Sequence, residues 1–351
     1  MSIFEKFTFP RKKRGLEDNA EYTGKYVLNV ENLNIRYETD DAVVYAVNGV
    51  DLKLERGHTL GLVGETGAGK TSTVLSLLKL ITSPPGVVEA DRLEVNGKNV
   101  MKMPEAALHS MRGREISMIF QDPMTSLDPV QTVGDQIAES ILLHENVDKE
   151  QAKTKAKQML EVVGIPADRA GEYPHEFSGG MMQRVVIAIA LSCHPNILIA
   201  DEPTTALDVT IQAQVLELMK QLNEQYQTST IMITHDLGIV AETCDEVAVM
   251  YAGRIVEQGT LRDVFKHTMH PYTEGLFNSL PDMKDRNSKL HPIRGLIPDP
   301  TVVPEGCPFA DRCPYVKDKC RNTMPEKRWV SETHMITCSG YDDPDFKLTG
   351  R

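Results

Sequence analysis

Residues 64–71 read Gly64-Glu65-Thr66-Gly67-Ala68-Gly69-Lys70-Thr71, and this stretch decides the fold. It fits the spacing G-x-x-x-x-G-K-[ST]. Phosphates are held by several backbone N–H groups turned inward, and glycines permit that curvature. An apolar strand, TLGLV at 59–63, precedes the loop. A helix is predicted from Gly69, with Val74, Leu75, Leu77, Leu78 and Leu80 on its apolar side and Ser83-Pro84-Pro85-Gly86 as its stop. Its N-terminal end adds a positive dipole to the loop. Lys70 supplies a point charge for β- and γ-phosphates, and the Thr71 hydroxyl is placed to bind Mg²⁺.

Working outward, three more apolar strands end in polar residues. ISMIF (116–120) ends at Gln121, NILIA (196–200) at Asp201-Glu202, and STIMIT (229–234) at His235. Ligands of open α/β sheets sit beyond the carboxyl ends of the strands, so these residues are expected near the phosphate loop. Asp201 suits Mg²⁺, held through its waters. Glu202 is the natural general base for a water attacking a γ-phosphate. His235 suits the γ-phosphate or that water, and Gln121 suits Mg²⁺ or water. Phosphoryl transfer needs positioning and charge stabilisation, which such a set provides.

The rest of the chain alternates strand and helix. YVLNVENL and VVYAVNGVDLKLE read as strands, residues 131–163 as two polar-faced helices, and about 180–193 as a further helix. A buried strand at 197–200, a helix at 208–226 and a strand at 230–234 follow, with short strands and a small helix to about 266. This alternation predicts a parallel sheet. Residues 1–24 read as a polar tail, and Arg11-Lys12-Lys13-Arg14 within it suits a solvated arm or a contact with anionic lipid. After His270-Pro271 prolines recur at 271, 281, 292, 298, 300, 304, 308, 314 and 325, a composition that needs a staple to be ordered.

The 351 residues carry 38 basic and 50 acidic side chains, a formal charge of −12. That balance argues against nucleic acid as the main partner. The longest apolar stretch, residues 185–193, is far short of the roughly 20 residues that span a bilayer, so a membrane role must come through a partner. Four of the six cysteines, Cys307, Cys313, Cys320 and Cys338, fall in the proline-rich tail. Such clustering favours metal over disulfides, with two disulfides as the competing reading. Four thiolates suit tetrahedral Zn²⁺ or a [4Fe–4S] cluster. Cys193 and Cys244 read as buried hydrophobes.

In this order the residues resemble the ATP-binding cassette family. Phe177-Ser178-Gly179-Gly180-Met181 looks like its signature LSGGQ, Thr205-Ala206-Leu207-Asp208 like its D-loop, and Asp201 like its Walker-B acid. The departures at Phe177 and Met181 leave Ser178 and both glycines intact. The resemblance implies an α/β P-loop NTPase cassette over 25–266, with an antiparallel β subdomain and a helical subdomain at about 124–195, followed by a cysteine-bearing extension over 267–351. It further implies head-to-tail pairing, with ATP held between one phosphate loop (Gly64 to Thr71, and Ser72) and the partner's Ser178, Gly179, Gly180 and Asp208. Tyr37 looks like the aromatic that stacks on adenine, and Tyr45 competes for that role.

Gln121-Asp122-Pro123-Met124-Thr125-Ser126-Leu127-Asp128-Pro129, the FSGGM signature, His270-Pro271-Tyr272-Thr273 and the cysteine tail are similar to the dipeptide/oligopeptide importer ATPases, D-type subunit. That likeness implies an F-type cassette partner, two integral membrane permease subunits, an extracellular or periplasmic peptide-binding protein, and a peripheral place on the cytoplasmic face of the membrane. It favours [4Fe–4S] over zinc in the tail. Importers of nickel complexes or glutathione share the fold, and a soluble cassette protein acting on DNA or the ribosome is the more distant alternative. Met118, Met124, Met181 and Met182 either adapt to a membrane-subunit groove near Gln121 or pack in the core.

Overall fold

The structure is a computed structural model that describes residues 22, 24–205, 207–279 and 292–349. The basic run at 11–14 and nearly all of the expected N-terminal tail lie outside the described residues. The chain divides into two compact units that do not follow sequence order. The first takes in the described parts of Met1–Leu28, then Leu54–His58 and Glu94–Ile231. The second takes in Asn29–Lys53, Thr59–Leu93 and the described parts of Met232–Arg351.

In the first unit the strands Ile116–Ile119 and Ile197–Asp201 run parallel, with Ile116 opposite Ile197 and Ile119 opposite Ala200. Every residue from Ile197 to Asp201 is buried. That is the pattern of a sheet covered on both faces, where alternation disappears. Several helices fall between residues 123 and 191. Val133–His144 is capped by Thr132, and Lys149–Val162 carries a capping box between Asp148 and Gln151. Gly179–Leu191 follows, with Val185, Ile187, Ala188 and Leu191 buried. Val209–Tyr226 is capped by Asp208.

In the second unit Thr59–Val63 pairs in parallel with Glu246–Tyr251, Leu60 opposite Glu246 and Val63 opposite Val249. Glu246–Tyr251 also pairs antiparallel with Arg254–Thr260, which pairs in turn with the short strand Met335–Ile336. Residues of the proline-rich extension therefore continue a sheet that begins beside the phosphate loop. Around Tyr37 the pairing is antiparallel, Tyr37 opposite Gly86 and Asn34 opposite Glu89. The helix after the loop spans Lys70–Leu77, shorter than the sequence suggests. Lys79 adopts a left-handed conformation, and the Leu80 N–H reaches back to the Leu75 carbonyl. That closing turn ends the helix before the prolines, leaving Leu80 40% exposed.

A buried polar network ties the extension down. Glu257 has no exposed surface. Its carboxylate accepts the N–H groups of Met269 at 2.7 Å and His270 at 3.0 Å, and His334 Nε2 lies 2.9 Å away. His270 is fully buried, and desolvation pushes its imidazole down to about 3, so the ring is neutral. Its Nδ1 accordingly accepts the Tyr272 N–H at 3.0 Å and caps the helix Pro271–Asn278. The His-Pro-Tyr-Thr sequence is thus a helix start built around an unprotonated histidine.

Removing the Glu257 carboxylate would orphan one buried and one half-buried amide donor. Glu257→Ala is expected to cost about 3 kcal/mol of stability, and Glu257→Gln, which keeps one acceptor, roughly half of that. Urea unfolding of the full chain checks both. Wild-type stability in the alanine variant would show that the network contributes nothing.

Candidate functional site

The phosphate loop is shaped by what surrounds its glycines. A Cβ at Gly64 would stand 2.2 Å from the Met250 carbonyl oxygen, so this position admits only glycine. Gly69 caps the helix in a left-handed conformation, φ 99°, with the Ala46 carbonyl where its Cβ would be. At Gly67, also left-handed, nothing lies within 4 Å of a would-be Cβ, which leaves that side of the loop open to a ligand. Lys70 is buried and its Nζ donates to the carbonyls of Gly64 at 2.7 Å and Glu65 at 3.0 Å. Thr66 and Thr71 are exposed, and Ala68 is buried. Tyr37 lies close by: its hydroxyl is 3.1 Å from Ser72 Oγ, where Ser72 sits in the first turn of the helix. Tyr45 lines a pocket with the loop residues Thr66 and Gly67, with Gly253, and with residues 297–300 and 302–304. His235 stands exposed just after the strand Ser229–Thr234.

Two distant side chains of the second unit, those of Tyr272 and Arg312, bear on Glu65 itself. Its N–H donates to the Tyr272 hydroxyl at 3.0 Å. Its carboxylate takes both arms of the Arg312 guanidinium, Nη1 at 2.7 Å and Nη2 at 3.0 Å. Arg312 Nη1 also reaches the Tyr251 hydroxyl at 3.3 Å. Tyr251, Tyr272 and Phe309 pack together, with ring centroids 4.6 to 5.4 Å apart. Sequence reading missed Arg312 and Tyr251, whose partner lies far along the chain. One signal was available, since an acidic residue inside an anion-binding loop demands a compensating cation.

In the first unit, Asp201 is buried at the end of its strand and Glu202 follows in a left-handed conformation, φ 47°. Gln121 Nε2 donates to Glu202 Oε2 at 3.0 Å. The Thr205 hydroxyl donates to the same oxygen at 3.0 Å, a contact the sequence did not reveal. The strand ends therefore do bring Gln121 and Glu202 together, as expected of parallel neighbours. Left-handed backbone at a non-glycine residue is strained, and such strain clusters where a side chain must be aimed.

Ser178 precedes the helix Gly179–Leu191 and is exposed, with no capping bond from its side chain. The two glycines after it have different reasons. A Cβ at Gly180 would meet Ile211 Cγ2 at 2.4 Å, so this glycine lets two helices pack closely. At Gly179 a Cβ would find only Leu207 at 3.9 Å, so this face is open. The unusual Phe177 and Met181 share one partner. The Arg169 guanidinium lies 4.4 Å from the Phe177 ring centroid, and its Nη1 donates to Met181 Sδ at 3.4 Å. Asp208 is engaged as a helix cap, accepting the Ile211 N–H at 3.0 Å. Of the four methionines, Met182 is buried, Met124 is 70% exposed, and Met118 and Met181 are half-buried.

No cysteine is paired in a disulfide. Cys193 and Cys244 are buried, as expected, and burial pushes the Cys244 thiol up to about 12. Cys307, Cys313, Cys320 and Cys338 line one small pocket with His270, Phe309 and Phe346. Burial raises the Cys307 thiol to about 11 and the Cys313 thiol to about 12. Among the described residues, no three His, Cys, Asp or Glu side chains are placed to hold a metal ion.

The chain matches two family patterns, the ABC transporter over residues 47–205 and the oligopeptide/dipeptide transporter C-terminal region over residues 256–320. It is 46% identical to the oligopeptide transport ATP-binding protein AppD of Bacillus subtilis over 90% of this chain and 97% of that one. It is 47% identical to the dipeptide transport ATP-binding protein DppD of the same organism over 89% of this chain and 94% of that one. Among solved structures it resembles cbiO1 of Clostridium perfringens, part of the ABC transporter complex cbiONQ, at 27% identity and a TM-score of 0.60 over 69% of this chain and 92% of that one. It also resembles a dimeric bacterial ABC transporter cassette, MJ0796, at 25% identity and a TM-score of 0.58 over 67% of this chain and 99% of that one. The phosphate loop, the strand-end carboxylates and the His-Pro-Tyr extension thus have one explanation: the chain belongs to the ABC transporter family, among the ATP-binding subunits that carry the oligopeptide/dipeptide transporter C-terminal region.

Proposed function

We propose that the chain binds and hydrolyses ATP as the energising subunit of a peptide importer. The observation that carries the reading is the phosphate loop, open at Gly67 and backed by Lys70 at the start of a helix. ATP phosphates lie on backbone amides of the loop beyond Glu65, whose own N–H goes to Tyr272, Lys70 turns from the loop carbonyls to the β- and γ-phosphates, and Tyr37 stacks on adenine. Glu202 takes the proton of the attacking water, and the γ-phosphate leaves as inorganic phosphate with ADP as the second product. Gln121 and Thr205 hold the Glu202 carboxylate in one orientation for that transfer. His235 steadies the γ-phosphate or the water. The hydroxyl, carboxylate and amide oxygens of Thr71, Asp201 and Gln121 are hard donors that suit Mg²⁺, which neutralises phosphate charge.

The exposed Ser178, the open Gly179 and the adjacent Gly180 serve the ATP of a partner cassette, and the dimeric state of one solved neighbour supports such pairing. The partner is an F-type subunit, with Asp208 at the shared boundary. No helix among the described residues is long and apolar enough to cross a membrane, so two permease subunits supply the path and a binding protein delivers the peptide. The chain acts from the cytoplasmic face. Closure of the cassette pair on ATP moves the permeases, and hydrolysis resets them. The names of the relatives, oligopeptide and dipeptide transporters, support peptides over nickel complexes, glutathione or a role off the membrane.

The four tail thiols hold a [4Fe–4S] cluster, zinc being the alternative. What supports a cluster is that all four cysteines line one pocket together with aromatic rings. A cluster has several metal atoms, so its cysteines stand around it rather than converge. The desolvated thiols need a cation to become thiolates there.

Glu202→Gln is expected to lower the ATP hydrolysis rate of the assembled complex at least about 100-fold while leaving ATP binding intact. Normal turnover in that variant would remove Glu202 as the base. Chain purified without oxygen is expected to carry iron and sulfide together, and Cys313→Ser to lose both. Zinc alone would replace the cluster reading.

A further inference from the structure

Glu65 is an anomaly in electrostatic terms. It places a carboxylate in a loop whose work is to hold a polyanion, and an uncompensated charge there opposes phosphate binding. The structure shows how it is compensated. Arg312, 6% exposed at its side chain, meets both carboxylate oxygens. The remainder of its fork is also used, Nε on the Arg294 carbonyl at 3.2 Å and Nη2 on the Ile293 carbonyl at 3.5 Å. A guanidinium held this way is rigid, always charged and shielded from solvent screening. The Glu65 N–H is meanwhile committed to Tyr272, so it points into the protein rather than at a ligand. Both anchors come from the C-terminal extension, Tyr272 from its His-Pro-Tyr-Thr helix start and Arg312 from the residue before Cys313.

We propose that Arg312 is a positioning residue for nucleotide binding, which neutralises Glu65 and, together with Tyr272, fixes the first turn of the phosphate loop, so that the extension sets the affinity for ATP without touching it. The inference rests on the assignment of residues 64–71 as the ATP phosphate site. Its mechanism is a charge balance, and a charge balance can be broken and restored. Arg312→Gln leaves the Glu65 carboxylate facing the triphosphate. Glu65→Gln on that background removes the same charge and relieves the repulsion.

The test measures the dissociation constant of the magnesium salt of AMP-PNP on the purified full chain, and KM and kcat for ATP in the assembled complex. R312Q is expected to raise the dissociation constant and KM about tenfold, with kcat at saturating ATP within about twofold of wild type. The double variant E65Q/R312Q is expected to return within about threefold of wild-type affinity. A purely structural role would lower kcat and KM behaviour together and would not be rescued by E65Q. Unchanged affinity in R312Q, or no rescue in the double variant, overturns the proposal. Should R312Q fail to fold, R312M and R312K decide on the same readout: R312M, which loses the charge, is expected to raise the dissociation constant about tenfold and R312K, which keeps it, to stay within about threefold of wild type, and equal affinities in the two variants overturn the proposal. Lys70→Ala runs alongside. If it binds AMP-PNP as tightly as wild type, the phosphate-site assignment itself fails; if it loses binding while R312Q does not, only the Arg312 proposal fails.

Discussion

A loop that holds phosphates by its amides must keep its inner wall free of side chains, and much of the second unit is organised around that demand. The wall is set by backbone. The Met250 carbonyl forces glycine at 64, and the Ala46 carbonyl forces it at 69. Met250 is there because Glu246–Tyr251 runs parallel to the strand that feeds the loop. The same pairing delivers Tyr251 beside Glu65, and Tyr251 is the first ring of the cluster that receives Tyr272, Phe309 and Arg312. One steric requirement thus propagates into a sheet register and then into the docking of the extension.

The extension solves a stability problem. A segment rich in proline buries little apolar surface of its own and cannot offset its ordering entropy alone. Here it borrows structure. Met335–Ile336 adds to the edge of an existing sheet, and three aromatic rings pack edge-to-face or tilted at its base, each pair contributing about 1 kcal/mol beyond area burial. Glu257 is a buried carboxylate that satisfies amides no helix or strand reaches. The pocket of four thiols lies against these same residues, since His270 and Phe309 line it.

The first unit aims a carboxylate. Glu202 sits where a fully buried strand ends, in a backbone conformation non-glycine residues rarely adopt, and two neighbours hold one of its oxygens. Farther along, the signature departs from the usual form at Phe177 and Met181, and both lean on Arg169. The substitution changes how the turn is supported while its serine and first glycine remain outward.

What the sequence determined by itself was everything that depends on short spacing. The glycine-lysine loop, the strands ending in Gln121, Asp201-Glu202 and His235, and the helices between them were legible because curvature and periodicity are local properties. The early end of the helix at Leu77 was not, because a left-handed Lys79 gives no strong local signal. Nor were Arg312 on Glu65, separated by 247 residues, or the burial that makes His270 a neutral cap. Those pairings were decided only by the tertiary structure. Which charge meets which, and which histidine loses its proton, depends on how distant segments pack and what they bury, and no spacing along the chain records it.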